Sequence, residues 1–92
     1  MKALLVALAA LLLAPAALAA PKEADVRFAT FNASLNRSFA GQLVADLSTP
    51  ANQQARNVAE TIQRIRPDVL LINEFDFDAA GTALRLFQDN YL

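Results

Sequence analysis

The segment that most constrains this chain is Val69-Leu70-Leu71-Ile72, an uninterrupted apolar run. Pro67-Asp68 closes it on one side and Asn73-Glu74 on the other. A run of this length between turn formers and acids reads as a strand covered on both faces, as in a parallel sheet. The strand is assigned to residues 68–74.

What precedes the run sets the topology. Ala55, Val58, Ala59, Ile62 and Ile65 recur at helical spacing and make one apolar stripe. Arg56, Glu60, Gln63 and Arg64 take the wet faces, and Glu60 can pair with Arg64 for a few tenths of a kcal/mol. Ser48-Thr49-Pro50 predicts the helix start, with Thr49 as N-cap and Pro50 at the first helical position, where its missing N–H costs nothing. Pro67 disfavours α geometry at Arg66 and ends the helix. Upstream, residues 26–32 are aromatic, β-branched and alternating, the character of a strand. Val26, Phe28, Thr30 and Asn32 share one of its faces. Strand, helix, buried strand is a βαβ unit, so the strands are expected to be parallel with a right-handed crossover, and the fold class is α/β. Residues 38–47, which include Gly41, read as loop with one short helical turn. Residues 75–81 read as an acidic loop, and 82–91 as a further helix with Ala83, Leu84, Phe87 and Tyr91 inward.

The start of the chain is of another kind. Lys2 precedes an uncharged run of Ala, Leu and Val over residues 3–13, and Ala17-Leu18-Ala19 follows Pro15. Charge, apolar run and small residues at the cleavage positions are the signal-peptide pattern, with the cut after Ala19. The run is shorter than the roughly 20 residues that span a bilayer, so it is not read as a membrane anchor. The chain has no Cys and therefore no lipoprotein attachment site. Residues 20–25 are then a polar lead-in, residues 26–92 the domain, and the expected location is periplasmic or extracellular.

Composition removes several classes. Without Lys2 the chain has seven basic against nine acidic residues, a net charge of about −2. No polybasic patch points to nucleic acid. With no Cys there is no disulfide framework, and with no His the commonest neutral-pH base and metal ligand is missing. The roughly 70 residues after the leader can just fold alone, with a small core. The last residues, Asp89-Asn90-Tyr91-Leu92, lack a polar tail, which predicts the front part of a longer domain.

Ligands of parallel α/β sheets collect beyond the carboxyl ends of the strands. Asn32 ends the first strand and Glu74 the second. A carboxylate and an amide oxygen suit a hard divalent cation such as Mg²⁺. Such an ion can polarise a phosphoryl oxygen. The plainer reading is that polar residues at strand ends simply meet water. Asp76 and Asp78 either extend an acidic metal site or are solvated. Asn73 is expected on the face opposite Glu74. Arg27 is expected to face solvent or pair with Asp25. Two Asn-x-Ser sequons, at Asn32 and Asn36, are common by chance and are discounted.

Arg27-Phe28-Ala29-Thr30-Phe31-Asn32, a helix, and then Arg66-Pro67-Asp68-Val69-Leu70-Leu71-Ile72-Asn73-Glu74-Phe75-Asp76 together resemble the opening of the endonuclease/exonuclease/phosphatase superfamily, especially its exported bacterial members. The resemblance implies a four-layer α/β sandwich and Mg²⁺- or Mn²⁺-dependent phosphoester hydrolysis. It implies that Glu74 binds the metal and that Asn32 lies in the metal and phosphate site. Asn73 stands where many nucleases of the family carry Gln, and Ser34 where some carry an acid. The family's later Asp-x-Asn and Ser-Asp-His motifs have no counterpart here. The expectation is therefore an exported metal-dependent phosphoesterase of open substrate class, without turnover by these residues alone. The alternative is a non-catalytic exported binding module or truncated gene product.

Overall fold

A computed structural model of the chain describes residues 23–92. The expected leader and the first residues of the lead-in lie outside the described residues. The elements in chain order are strand β1 (Phe28–Leu35), helix α1 (Gln42–Leu47), helix α2 (Gln53–Ile65), strand β2 (Val69–Phe75) and helix α3 (Thr82–Tyr91). Among the described residues, no helix is long and apolar enough to cross a membrane.

β1 and β2 pair in parallel, with Phe28 opposite Val69, Thr30 opposite Leu71 and Asn32 opposite Asn73. The architecture is thus α/β, built on a two-stranded parallel sheet. The period-2 alternation of strands puts Ala29, Phe31, Ala33 and Leu35 of β1 on one face, with Leu70 and Ile72 of β2. The helices pack there. Ala33, Leu35, Leu43, Leu47, Ala55, Val58, Ala59, Ala83 and Phe87 are buried together as the core. Leu43 and Leu47 stand one helical turn apart on α1, so this short helix turns one apolar edge inward. Phe87 of α3 meets Phe75 edge-to-face at 5.7 Å between ring centroids and stacks on Tyr91 at 5.9 Å.

Among the described residues, no helix lies over the opposite face of the sheet. Phe28, Leu71 and Val69 are 73%, 62% and 50% exposed. The expectation that β2 is covered on both faces is therefore corrected: within residues 23–92 it is covered on one. The run is apolar throughout because one half of it feeds the core and the other half makes an open apolar face. Val26, Phe28, Thr30 and Asn32 do fall on the exposed side, Val26 as part of the extended approach to β1.

Element boundaries moved where local signals met tertiary contacts. β1 begins two residues later than expected and runs three residues past Asn32, through an irregular register between Asn32 and Leu35. α2 is capped by Asn52, whose Oδ1 accepts the Ala55 N–H at 2.9 Å, and not by Thr49. The Tyr91 hydroxyl explains the shift. It accepts the Asn52 N–H at 3.0 Å and donates to the Thr49 carbonyl, holding residues 49–52 as a turn. Asn is also the stronger cap. α2 ends at Ile65 as Pro67 predicted, but Arg66 closes it in the left-handed region, at φ 53° and ψ 57°, with its N–H on the Ile62 carbonyl. That left-handed cap satisfies a terminal carbonyl of the helix.

Arg27 is exposed, as expected, but it also makes contacts the sequence did not suggest. Its side chain donates to the Ile65 carbonyl at the end of α2. Asp68 accepts its main-chain N–H at 2.7 Å and returns its own N–H to the Arg27 carbonyl at 2.8 Å. Arg27 thus ties the entry of both strands to the helix end. The Glu60–Arg64 pair forms at 2.8 Å on the exposed side of α2. In α3, Ala83, Phe87 and Tyr91 turn inward as expected, whereas Leu84 is exposed and Leu86 joins the core edge.

Candidate site at the carboxyl end of the sheet

The parallel pairing brings the two strand ends together, as the βαβ order required. Asn32 lies directly opposite Asn73, the residue before Glu74. Neighbouring strands stand about 4.8 Å apart, so these side chains share one small area of surface. Asn32, Asn73 and Glu74 are all exposed.

Strict alternation would send Glu74 inward beside Leu70 and Ile72. It does not, because Glu74 takes φ 52°, in the left-handed region. The sequence therefore misplaced Asn73: it faces solvent alongside Glu74, not on the opposite side. The twist also lets the next residue, Phe75, turn inward against Phe87. A glutamate in this conformation carries backbone strain, and such strain clusters where side chains are aimed for a purpose. Ser34 shows the same φ of 52° at the matching position of β1.

Asn32 is fixed by its own chain. Its Oδ1 accepts the Ser34 N–H at 3.0 Å and the Ser34 hydroxyl at 3.3 Å, an Asx-type turn. An N–H must meet an acceptor, so the amide oxygen is turned back and the Nδ2 donors point away from the turn. Among the described residues no hydrogen bond or ion pair engages the Glu74 carboxylate. These two groups fit a hard cation and its anionic ligand in different ways. Glu74 presents carboxylate oxygens of the kind Mg²⁺ takes. Asn32 presents chiefly N–H donors, because its oxygen is already engaged.

Asp76 and Asp78 have structural work. The Asp76 carboxylate accepts the main-chain N–H of Arg37 at 2.8 Å, and the Asp76 N–H reaches the Leu35 carbonyl at 3.3 Å. Asp78 accepts the N–H groups of Ala83 at 3.0 Å and Thr82 at 2.8 Å at the start of α3. Those two main-chain bonds, Ala83 foremost and then Thr82, hold the Asp78 carboxyl below its ordinary pKa. Gly81, at φ 67°, makes the turn that lets the carboxylate reach back. Among the described residues, no group of three or more acidic side chains is placed to hold a metal ion.

The sequence reading missed Arg37, Asp46 and Gln54. Arg37 Nε donates to Asp46 Oδ2 at 2.7 Å, and Nη2 donates to Gln54 Oε1 at 3.0 Å. Gln54 Nε2 in turn donates to the Ser34 carbonyl at 2.6 Å. One signal was available: between Phe28 and Ala55, Arg37 is the sole basic residue and Asp46 the sole acid. Nine residues apart in loop and helix, they match no local pairing rule, so only the fold shows the contact.

No family model matches the chain, and no curated protein or solved structure is significantly similar to it.

Proposed function

We propose that the chain carries the metal-binding part of an exported, Mg²⁺- or Mn²⁺-dependent phosphoesterase. The single observation behind this reading is Glu74. It is an exposed carboxylate at the carboxyl end of a parallel strand, turned outward by a strained φ of 52°, next to the Asn32–Asn73 pair. Open α/β sheets bind ligands at this end.

In this reading Glu74 holds the cation. When bound, the ion polarises a phosphoryl oxygen and stabilises the charge that develops on it. Asn32 acts on the substrate and not on the metal: with its oxygen held by Ser34, its Nδ2 donates to a phosphoryl oxygen and orients the ester. Water activation needs a base, and the chain has no His. Turnover therefore calls on groups beyond Asn32 and Glu74. The open apolar face formed by Phe28, Val69 and Leu71 suits a second sheet packed against the first, which is the four-layer sandwich. The substrate class stays at phosphoester.

The test is Mn²⁺ binding, followed by water-proton relaxation, in the wild-type chain and in Glu74→Gln. Weak binding that is lost in the variant supports the reading. Equal binding in both, or none in either, refutes it and leaves a non-catalytic binding module as the better account.

A further inference from the structure

We propose that Arg37 is a positioning residue of the Asn32–Glu74 site, closing a hydrogen-bonded chain that sets where the two side chains stand relative to each other. The purpose of that site rests on the phosphoesterase reading; the geometry does not.

The sheet itself cannot do the positioning. Its regular pairing stops at Asn32 and Asn73 and resumes only at Leu35 and Phe75. In between lie Ser34 and Glu74, both in the left-handed region. The side chains that matter thus hang on the least regular part of the ladder, and another device has to hold it. The hydrogen bonds supply one. Asn32 Oδ1 meets the Ser34 N–H, and the Ser34 carbonyl meets Gln54 Nε2. Gln54 Oε1 meets Arg37 Nη2, and the Arg37 N–H meets the carboxylate of Asp76, two residues after Glu74. The Asp76 N–H on the Leu35 carbonyl closes the ring between the strand ends.

Arginine suits the central place. Its planar fork serves Asp46 through Nε, Gln54 through Nη2 and the Asn36 carbonyl through Nη1 at once. A lysine ammonium has no fork to span these acceptors. The guanidinium is largely buried, its side chain 13% exposed, and Asp46 supplies the balancing charge. The link to Asp76 runs through the Arg37 main chain. Losing the side chain therefore loosens Asp76 by freeing residues 36–38, and loosens Asn32 through Gln54 and Ser34.

Three variants test this: Arg37→Met, Arg37→Lys and Gln54→Ala. Three quantities are read: Mn²⁺ affinity, exchange of the Ser34 amide hydrogen, and the urea midpoint. Gln54 is exposed, so its truncation is expected to leave the midpoint in place. We expect Arg37→Met to weaken Mn²⁺ binding several-fold, because freeing the Arg37 main chain loosens Asp76 and with it Glu74, two residues before it. Arg37→Lys is not expected to restore it, and Gln54→Ala shifts it in the same direction. Ser34 exchange should accelerate in all three. A clamp of purely structural importance would lower the midpoint of the Arg37 variants without changing metal affinity in the folded chain, and that result overturns the proposal. If Arg37→Met does not fold, Gln54→Ala decides: unchanged affinity and unchanged Ser34 exchange overturn it. If the wild-type chain binds no Mn²⁺, the metal reading falls alone. Ser34 exchange in Gln54→Ala then judges the positioning, faster exchange upholding it and unchanged exchange refuting it.

Discussion

Replacing Glu74 by glycine should stabilise the fold while removing the candidate metal ligand. Glu74 sits at φ 52°, where a side chain with a Cβ crowds its own carbonyl. That conformation costs roughly 1–2 kcal/mol for an L-residue. Glycine adopts it freely, but gains about 0.5–1 kcal/mol of extra freedom in the unfolded chain, which offsets part of the relief. The net expectation for Glu74→Gly is a gain of up to about 1.5 kcal/mol, about 0.75 kcal/mol at the centre of the range. Glu74→Ala is the control: it removes the same carboxylate and keeps the Cβ, so it should gain nothing. In a domain of this size, 1 kcal/mol moves Tm by about 4–8 °C. At the centre of that range the urea midpoint should rise by about 0.75 M, taking a slope of about 1 kcal/mol per M. Both variants should lose Mn²⁺ binding. The comparison is made by urea titration and thermal melting side by side. If Glu74→Gly is no more stable than Glu74→Ala, the backbone at Glu74 is not strained, and its outward turn needs another explanation. If it is more stable, the native glutamate is held at a stability cost, as expected of a residue kept for function.

Other outcomes follow from the same structure. Phe87→Ala empties the centre of the core and loses the contacts with Phe75 and Tyr91. A cost of about 3–5 kcal/mol is expected, which is about half of a total of roughly 4–10 kcal/mol for some 70 residues, so thermal melting followed by circular dichroism should show a large drop in Tm. Asp78→Ala should lower Tm at neutral pH by uncapping α3. Because the folded-state pKa of Asp78 is depressed, its stabilisation is present above the ordinary carboxylate pKa and is lost as pH falls through the lower folded value. The Tm gap between wild type and Asp78→Ala should thus be full at pH 5–7 and narrow below about pH 4. Glu60→Ala breaks an exposed pair and should change stability by less than about 0.5 kcal/mol in a urea titration.

The periodic features were legible along the chain. The stripe from Ala55 to Ile65, the stop before Pro67, the apolar run of β2 and the whole of α3 depend on 3.6- and 2-residue periods and on proline. These are properties of neighbours in sequence. The parallel pairing followed from their order, because strand–helix–strand leaves few topologies open. Asn32 and Glu74 were picked by the same logic as strand-ending polar residues, but β1 runs on to Leu35 and β2 to Phe75, so Asn32 stands three residues before its strand's end and Glu74 one.

What only the tertiary structure decided lies where distant residues compete with local preference. Tyr91, far along the chain, fixed the turn that made Asn52 and not Thr49 the cap of α2. Asp76 and Asp78 look like any acidic loop until their main-chain partners are in view. The outward turn of Glu74 could not be read from alternation, since it is a departure from alternation. Arg37, Asp46 and Gln54 became one cluster only when β1, α1 and α2 had packed. Sequence by itself determined which residues reach the carboxyl end of the sheet, because that depends on periodicity and chain order. The fold decided how they are aimed and held, because strained backbone and hydrogen bonds across long stretches of chain exist only after packing has brought their partners together.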